Sequence, residues 1–247
     1  MVMTENKNII EYLGINVSAT QVTNIKKYYV WDGRDFPVSS ELASFLTPFD
    51  YGIREKGANF SISSFVKNGD NALIKKSIDL IRNDFGIKFY DHFEEELCAF
   101  QQFNRNIHYD PIISIKYHQN TVAGISYYVT ALKDKSLVKE YMEQVISYTL
   151  NNNSELKSFI RKVVQERFAD MFQLSWDFDN EGLKQNKVYL KVKNRESFIR
   201  MMEHEFPNLK NLSIQEGYRF CELAFVIKNG IIKSYNLYYK PLCMSYT

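Results

Sequence analysis

The sequence is poor in cysteine and has no long apolar run and no proline- or glycine-rich stretch. Its cysteines, Cys98, Cys221 and Cys243, are odd in number and far apart, without metal-binding spacing, and they argue against a disulfide framework. No run approaches the roughly 18 apolar residues that cross a bilayer, so membrane insertion is not expected. The opening MVMTENKNIIEYLG has no basic segment followed by an apolar core. No signal peptide is therefore expected, and a reducing cytoplasm is the default location. Charge of one sign is also lacking: 31 Lys and Arg against 29 Asp and Glu leave +2, which makes no case for nucleic acid as a partner. The four histidines, His92, His108, His118 and His204, are scattered and show no ligand spacing. P-loop, dinucleotide glycine signature, nucleophile elbow and zinc pattern are all missing. Without a linker to divide it, the chain is read as a single domain over residues 1–247.

What is present is an aromatic-rich alternation. The chain has 17 Tyr and 18 Phe but 2 Trp. In KVYLKVKN, 187 to 194, Val188, Leu190 and Val192 share one strand face, while Lys187, Tyr189, Lys191 and Lys193 share the other. The plan recurs. Hairpins are expected over 111 to 132, turning at Gln119-Asn120-Thr121, and over 172 to 193, turning at Asn180-Glu181-Gly182. A third spans 218 to 240 and turns at Asn229-Gly230, a pair that favours tight hairpins. Residues 49 to 67 fit with a turn near Gly57, and 14 to 31 supply a fifth. Between hairpins the period becomes helical: 71 to 85, 91 to 103, 136 to 150, 155 to 172, and 195 to 206 before Pro207.

Five hairpins in an open sheet would leave bare edges, whereas closure removes them. The expected class is therefore α+β: a closed antiparallel barrel of about ten strands, surrounded by helices, with the polar strand faces turned into the lumen.

This repeated plan resembles the ABBA (PT-barrel) aromatic prenyltransferases, and among them the cyanobactin peptide prenyltransferases. The resemblance rests on ISIKYHQNTVAGISYYVTAL, FQLSWDFDNEGLKQNKVYLKVKNRESF and the closing KSYNLYYKPL, and on hairpin order over roughly residues 10 to 242. It implies transfer of a dimethylallyl or geranyl group from its diphosphate to an aromatic acceptor, either a peptide side chain or a small free molecule. Ionising an allylic diphosphate needs cationic donors for the departing anion and aromatic faces for the cation. Magnesium is a possible cofactor on this resemblance, although no ligand set is legible.

Carried over residue by residue, the resemblance assigns Lys187 and Lys191 to the diphosphate, with Lys26, Arg54 and Lys233. Tyr128, Tyr189, Tyr235 and Tyr239 would shield the carbocation. Glu11, in IIEYLG, and Asp177, in LSWDF, are the candidate catalytic carboxylates. The second hairpin departs from the family pattern: Ser61, Ser63 and Phe65 stand where inward Lys and Arg are usual. The alternative function is a non-catalytic barrel that binds an amphipathic anionic ligand.

Overall fold

The computed structural model describes residues 10–18, 21–31, 49–54, 59–65, 76, 79–80, 82–83, 109–118, 121–131, 150, 153–179, 181–209 and 215–242. Ten strands fall in pairs: β1 (Ile10–Ser18) with β2 (Gln21–Trp31), and β3 (Phe49–Arg54) with β4 (Asn59–Phe65). β5 (Tyr109–His118) and β6 (Thr121–Ala131) follow, then β7 (Ala169–Asp179) and β8 (Gly182–Val192), and lastly β9 (Tyr218–Lys228) and β10 (Ile231–Pro241). Helix α1 (Ser154–Gln165) precedes the fourth hairpin, and α2 (Arg195–Glu205) follows it. The architecture is an antiparallel sheet with helices, class α+β.

Each strand pairs antiparallel with its neighbours in sequence, and β1 pairs with β10 as well as β2, so the ladder returns on itself as a closed barrel. The Asn229-Gly230 turn has φ of 54° and 72°, the left-handed pair that joins strands with native twist. β6 and β7 approach closely at Gly124, where any Cβ would collide with the carbonyl oxygen of Phe178. Only glycine fits there.

Helix α1 starts where the Asn153 side chain accepts from Leu156 N at 2.9 Å, leaving Leu156, Phe159, Ile160 and Val163 on one buried stripe. In α2, Asn194 accepts from Ser197 N at 3.2 Å, and Phe198 and Met202 are buried. The helix expected over 155 to 172 ends earlier. Arg167 turns left-handed at φ 59°, and β7 has begun by Ala169. Phe168 O then accepts from Lys193 N and Asn194 N, tying that turn to the end of β8. Lys76, Asp79, Leu80, Arg82 and Asn83 are helical, within the span expected at 71 to 85. The helix expected over 91 to 103 lies outside the described residues. So does the one over 136 to 150 except for Leu150, which is buried and not helical.

The helices cover one face of the sheet. Phe159 packs edge-on to Phe206 at 4.9 Å and to Phe225 at 5.8 Å, and Phe198 stacks on Phe220. Leu174, Val188, Leu190, Leu223 and Leu237 are fully buried, each contributing about 1.5–3 kcal/mol by leaving water. Among the described residues no helix is long and apolar enough to cross a membrane.

Candidate functional site

Because side chains alternate, fixing the helix-facing residues fixes the opposite, inner face. Beside the short row Ser126, Asp177, Gln185, three cross-strand rows cover it between β6 and β1. The first runs Tyr128, Ser175, Lys187, Val226, Ser234. The second runs Gln173, Tyr189, Ala224, Asn236, Asn16. The third runs Asp170, Lys191, Glu222, Tyr238, Gly14, and continues in register to Lys26 and Arg54.

Lys187 is the pivot of the first row. Its Nζ lies 2.7 Å from Asp177 Oδ2, with both side chains nearly removed from solvent. Asp177 also accepts from Gln185 Nε2 at 2.6 Å and from Ser126 Oγ. Burial alone would lower the Lys187 pKa, but the Asp177 carboxylate, with Tyr128 and Tyr238 adding to it, outweighs that and holds the ammonium well above its ordinary value. Lys187 therefore stays charged inside the protein. An ammonium has three donors, and one is committed to Asp177.

Tyr128 and Tyr238 act on this charge, and Tyr189 joins their rings. The Tyr189 ring lies 6.1 Å from Tyr128 and is stacked with Tyr238 at 6.1 Å. Burial pushes the Tyr128 phenol up, opposed by Lys187. Asn16 Nδ2 donates to Asn236 Oδ1 at 2.6 Å and to Ser234 Oγ at 3.1 Å, a neutral amide wall beside the aromatic group. A buried cation, phenol groups and aromatic faces together can receive an anion and sit against an electron-poor carbon.

The structure brings together Lys187, Tyr189, Tyr128 and Asp177 from the sequence-derived set. Lys26 and Arg54 stand opposite one another in register on the third row, and Glu11 stands at an irregularity between Ile10 and Tyr12; their side chains lie outside the described residues. Lys191 shares the face of Lys187 but is exposed.

Three expectations need correction. Lys233 sits at a break in register between Ile232 and Ser234 and is exposed, so it does not reach the Lys187 group. Tyr235 faces the helix layer, edge-on to Phe206 at 5.6 Å and Phe225 at 5.7 Å. Tyr239 faces the same way, 5.4 Å from Phe220. The inward tyrosine of β10 is Tyr238, which sequence reasoning missed. A signal was available, because Leu237 shares parity with Tyr235 and Tyr239 and marks that face as apolar. Glu222 and Gln185 were missed as well. Trp176 packs 5.8 Å from Tyr127 on the outer side, as part of the core.

Among the described residues no group of three or more His, Cys, Asp or Glu could hold a metal ion.

The arrangement, an α+β ring of antiparallel hairpins with a polar and aromatic interior, has solved counterparts. The chain is similar in structure to NotF prenyltransferase, with a TM-score of 0.62 at 9% identity, covering 94% of this chain and 80% of that one. It is also similar to NotF in complex with brevianamide F and DMSPP, with a TM-score of 0.50 at 11% identity and the same coverage. At such identities the likeness is one of fold, and it supports an ABBA-type arrangement. No family model and no curated protein matches the chain.

Proposed function

We propose that this chain is a prenyltransferase that moves a dimethylallyl or geranyl group from its diphosphate to an aromatic acceptor, working in the cytoplasm as one barrel domain over residues 1–247. The observation that carries the reading is Lys187: a charged, buried ammonium on which Tyr128 and Tyr238 act, beside the Tyr128–Tyr189–Tyr238 ring group, on the inner face of a fold similar to that of NotF. NotF has been crystallised with brevianamide F and DMSPP. In this chain the two Lys187 donors not committed to Asp177 take the departing diphosphate, and Lys26, Arg54 and Lys191 add positive charge from the third row. The allylic carbon–oxygen bond breaks with its electron pair going to the diphosphate. The tyrosine faces stabilise the cation and keep water from it.

The finer reading is that the acceptor is the side chain of a tryptophan or tyrosine in a peptide. Its support is the hairpin-by-hairpin resemblance to the cyanobactin peptide prenyltransferases. The test is incubation with dimethylallyl and geranyl diphosphates and a panel of Trp- and Tyr-containing peptides and free aromatic compounds, read by mass spectrometry. The expected result is a gain of one prenyl unit on the aromatic group. No gain with any donor overturns the proposal. Binding of diphosphate without product would favour a carrier, a reading encouraged by the existing neutralisation of Lys187 by Asp177.

A further inference from the structure

Three carboxylates stand on the described inner face: Asp170 is paired with Lys193 at 2.5 Å, and the other two, Asp177 and Glu222, differ sharply in their surroundings. Asp177 is fully buried and accepts from Ser126, Gln185 and Lys187, so a proton placed on it would break the Lys187 pair. Glu222, on β9, is partly buried and in register between Lys191 and Tyr238, next to the Tyr189–Ala224–Tyr238 cluster. Among the described residues its side chain makes no hydrogen bond and no ion pair within 4 Å, although Lys240 and Lys191 act on its charge. We propose that Glu222 is the catalytic base, taking the proton that the aromatic acceptor loses when it captures the allylic cation. This rests on the transfer reading above and deepens it.

The step balances. The acceptor's oxygen or nitrogen lone pair, or its ring π electrons, forms the bond to the allylic carbon. The O–H, N–H or ring C–H proton then passes to a Glu222 oxygen, and its bonding pair stays on the acceptor. Supporting this assignment, burial raises the Glu222 pKa, opposed by Lys240 and Lys191. Asp177, held by Lys187, Gln185 and Ser126, serves as fixed counter-ion, which leaves Glu222 as the proton carrier. The groups around Glu222 are Lys191 from β8, Tyr238 and Lys240 from β10, and its own neighbour Cys221. The Cys221 Sγ donates to Tyr238 O at 3.2 Å, and its thiol is pushed up to about 12, chiefly by burial and then by Glu222. Cys221 is thus no rival as a base.

The experiment is the pH profile of kcat, with dimethylallyl diphosphate and the best acceptor from the panel, for the unchanged protein and for Glu222→Gln and Glu222→Asp. Turnover in the unchanged protein should fall on the acid side, with a midpoint above the ordinary carboxylate value of about 4.3. Glu222→Gln should lose about 100-fold in kcat and lose the acid limb, with the diphosphate KM little changed. Glu222→Asp should restore part of the rate and the limb. Should Glu222→Gln fail to fold, the profile of the unchanged protein decides alone: without an acid limb above pH about 4.3 the assignment fails. Product from the unchanged protein with an equally active Glu222→Gln overturns Glu222 alone. No product from the unchanged protein overturns the transfer reading, and Glu222 with it.

Discussion

Lys187 and Lys191 lie on one strand, on one face, four residues apart, yet they meet different fates. Lys187 is opposite Ser175 and Val226 in the middle of the sheet and is locked to Asp177; Lys191 is opposite Asp170 and Glu222 and is exposed. Depth in the sheet, and not residue type, decides whether an ammonium becomes a permanent part of an enclosed site. A cation that is buried and already paired keeps its charge and its place. An exposed one adds long-range charge that salt screens.

The largest expected effect comes from breaking the buried pair on one side. Asp177→Leu leaves Lys187 buried without its counter-ion and should cost about 3–5 kcal/mol, measured by urea unfolding. Adding Lys187→Met should recover most of that loss. If the single change is harmless, the pair is not buried as described. Lys191→Met, by contrast, should move stability by no more than about 0.5 kcal/mol in the same assay.

The two faces of β10 sharpen the comparison. Tyr239→Ala removes an aromatic ring from the helix-side core and should cost about 3–5 kcal/mol. Tyr238→Ala should chiefly abolish turnover, at a smaller cost in thermal unfolding. Reversed outcomes would mean that the strand faces have been exchanged.

A smaller effect is alkaline. The Lys187 pKa is raised in the folded protein, so its contribution to stability is complete below the unfolded value of about 10.4 and is lost as pH rises through the folded value. Melting curves between roughly pH 9 and 11.5 should show a steeper fall for the unchanged protein than for Lys187→Met. Parallel curves for the two would remove the claim.

The hairpins were readable because strict alternation and Asn-Gly-type turns are local properties of the chain. The position of Lys187 and Tyr189 on an inner face followed from the same alternation. Register breaks were not readable: the irregularity between Ile232 and Ser234 displaces Lys233, and it arises from pairing with β9, which the β10 sequence does not encode. β10 also carries tyrosines on both faces, so residue type alone could not choose between Tyr235, Tyr238 and Tyr239. Helix α1 was overextended because 166 to 172 keeps apolar spacing, while the left-handed Arg167 and the pairing of Ala169 with Val192 draw that segment into the sheet. The Asp177 pairing with Lys187 joins strands in a register that no single-strand pattern displays.

Everything rests on a buried ammonium, enclosed by phenol rings, being the place where a diphosphate sits. Calorimetric titration of a non-hydrolysable dimethylallyl diphosphate analogue into the unchanged protein, Lys187→Met and Lys191→Met addresses it most directly. The expected result is a loss of about tenfold or more for Lys187→Met, the 1.4 kcal/mol scale of one charged hydrogen bond, and a lesser loss for Lys191→Met. Unchanged affinity in Lys187→Met, with the loss appearing at Lys191, would place the anion at the exposed end of the strand and contradict the account.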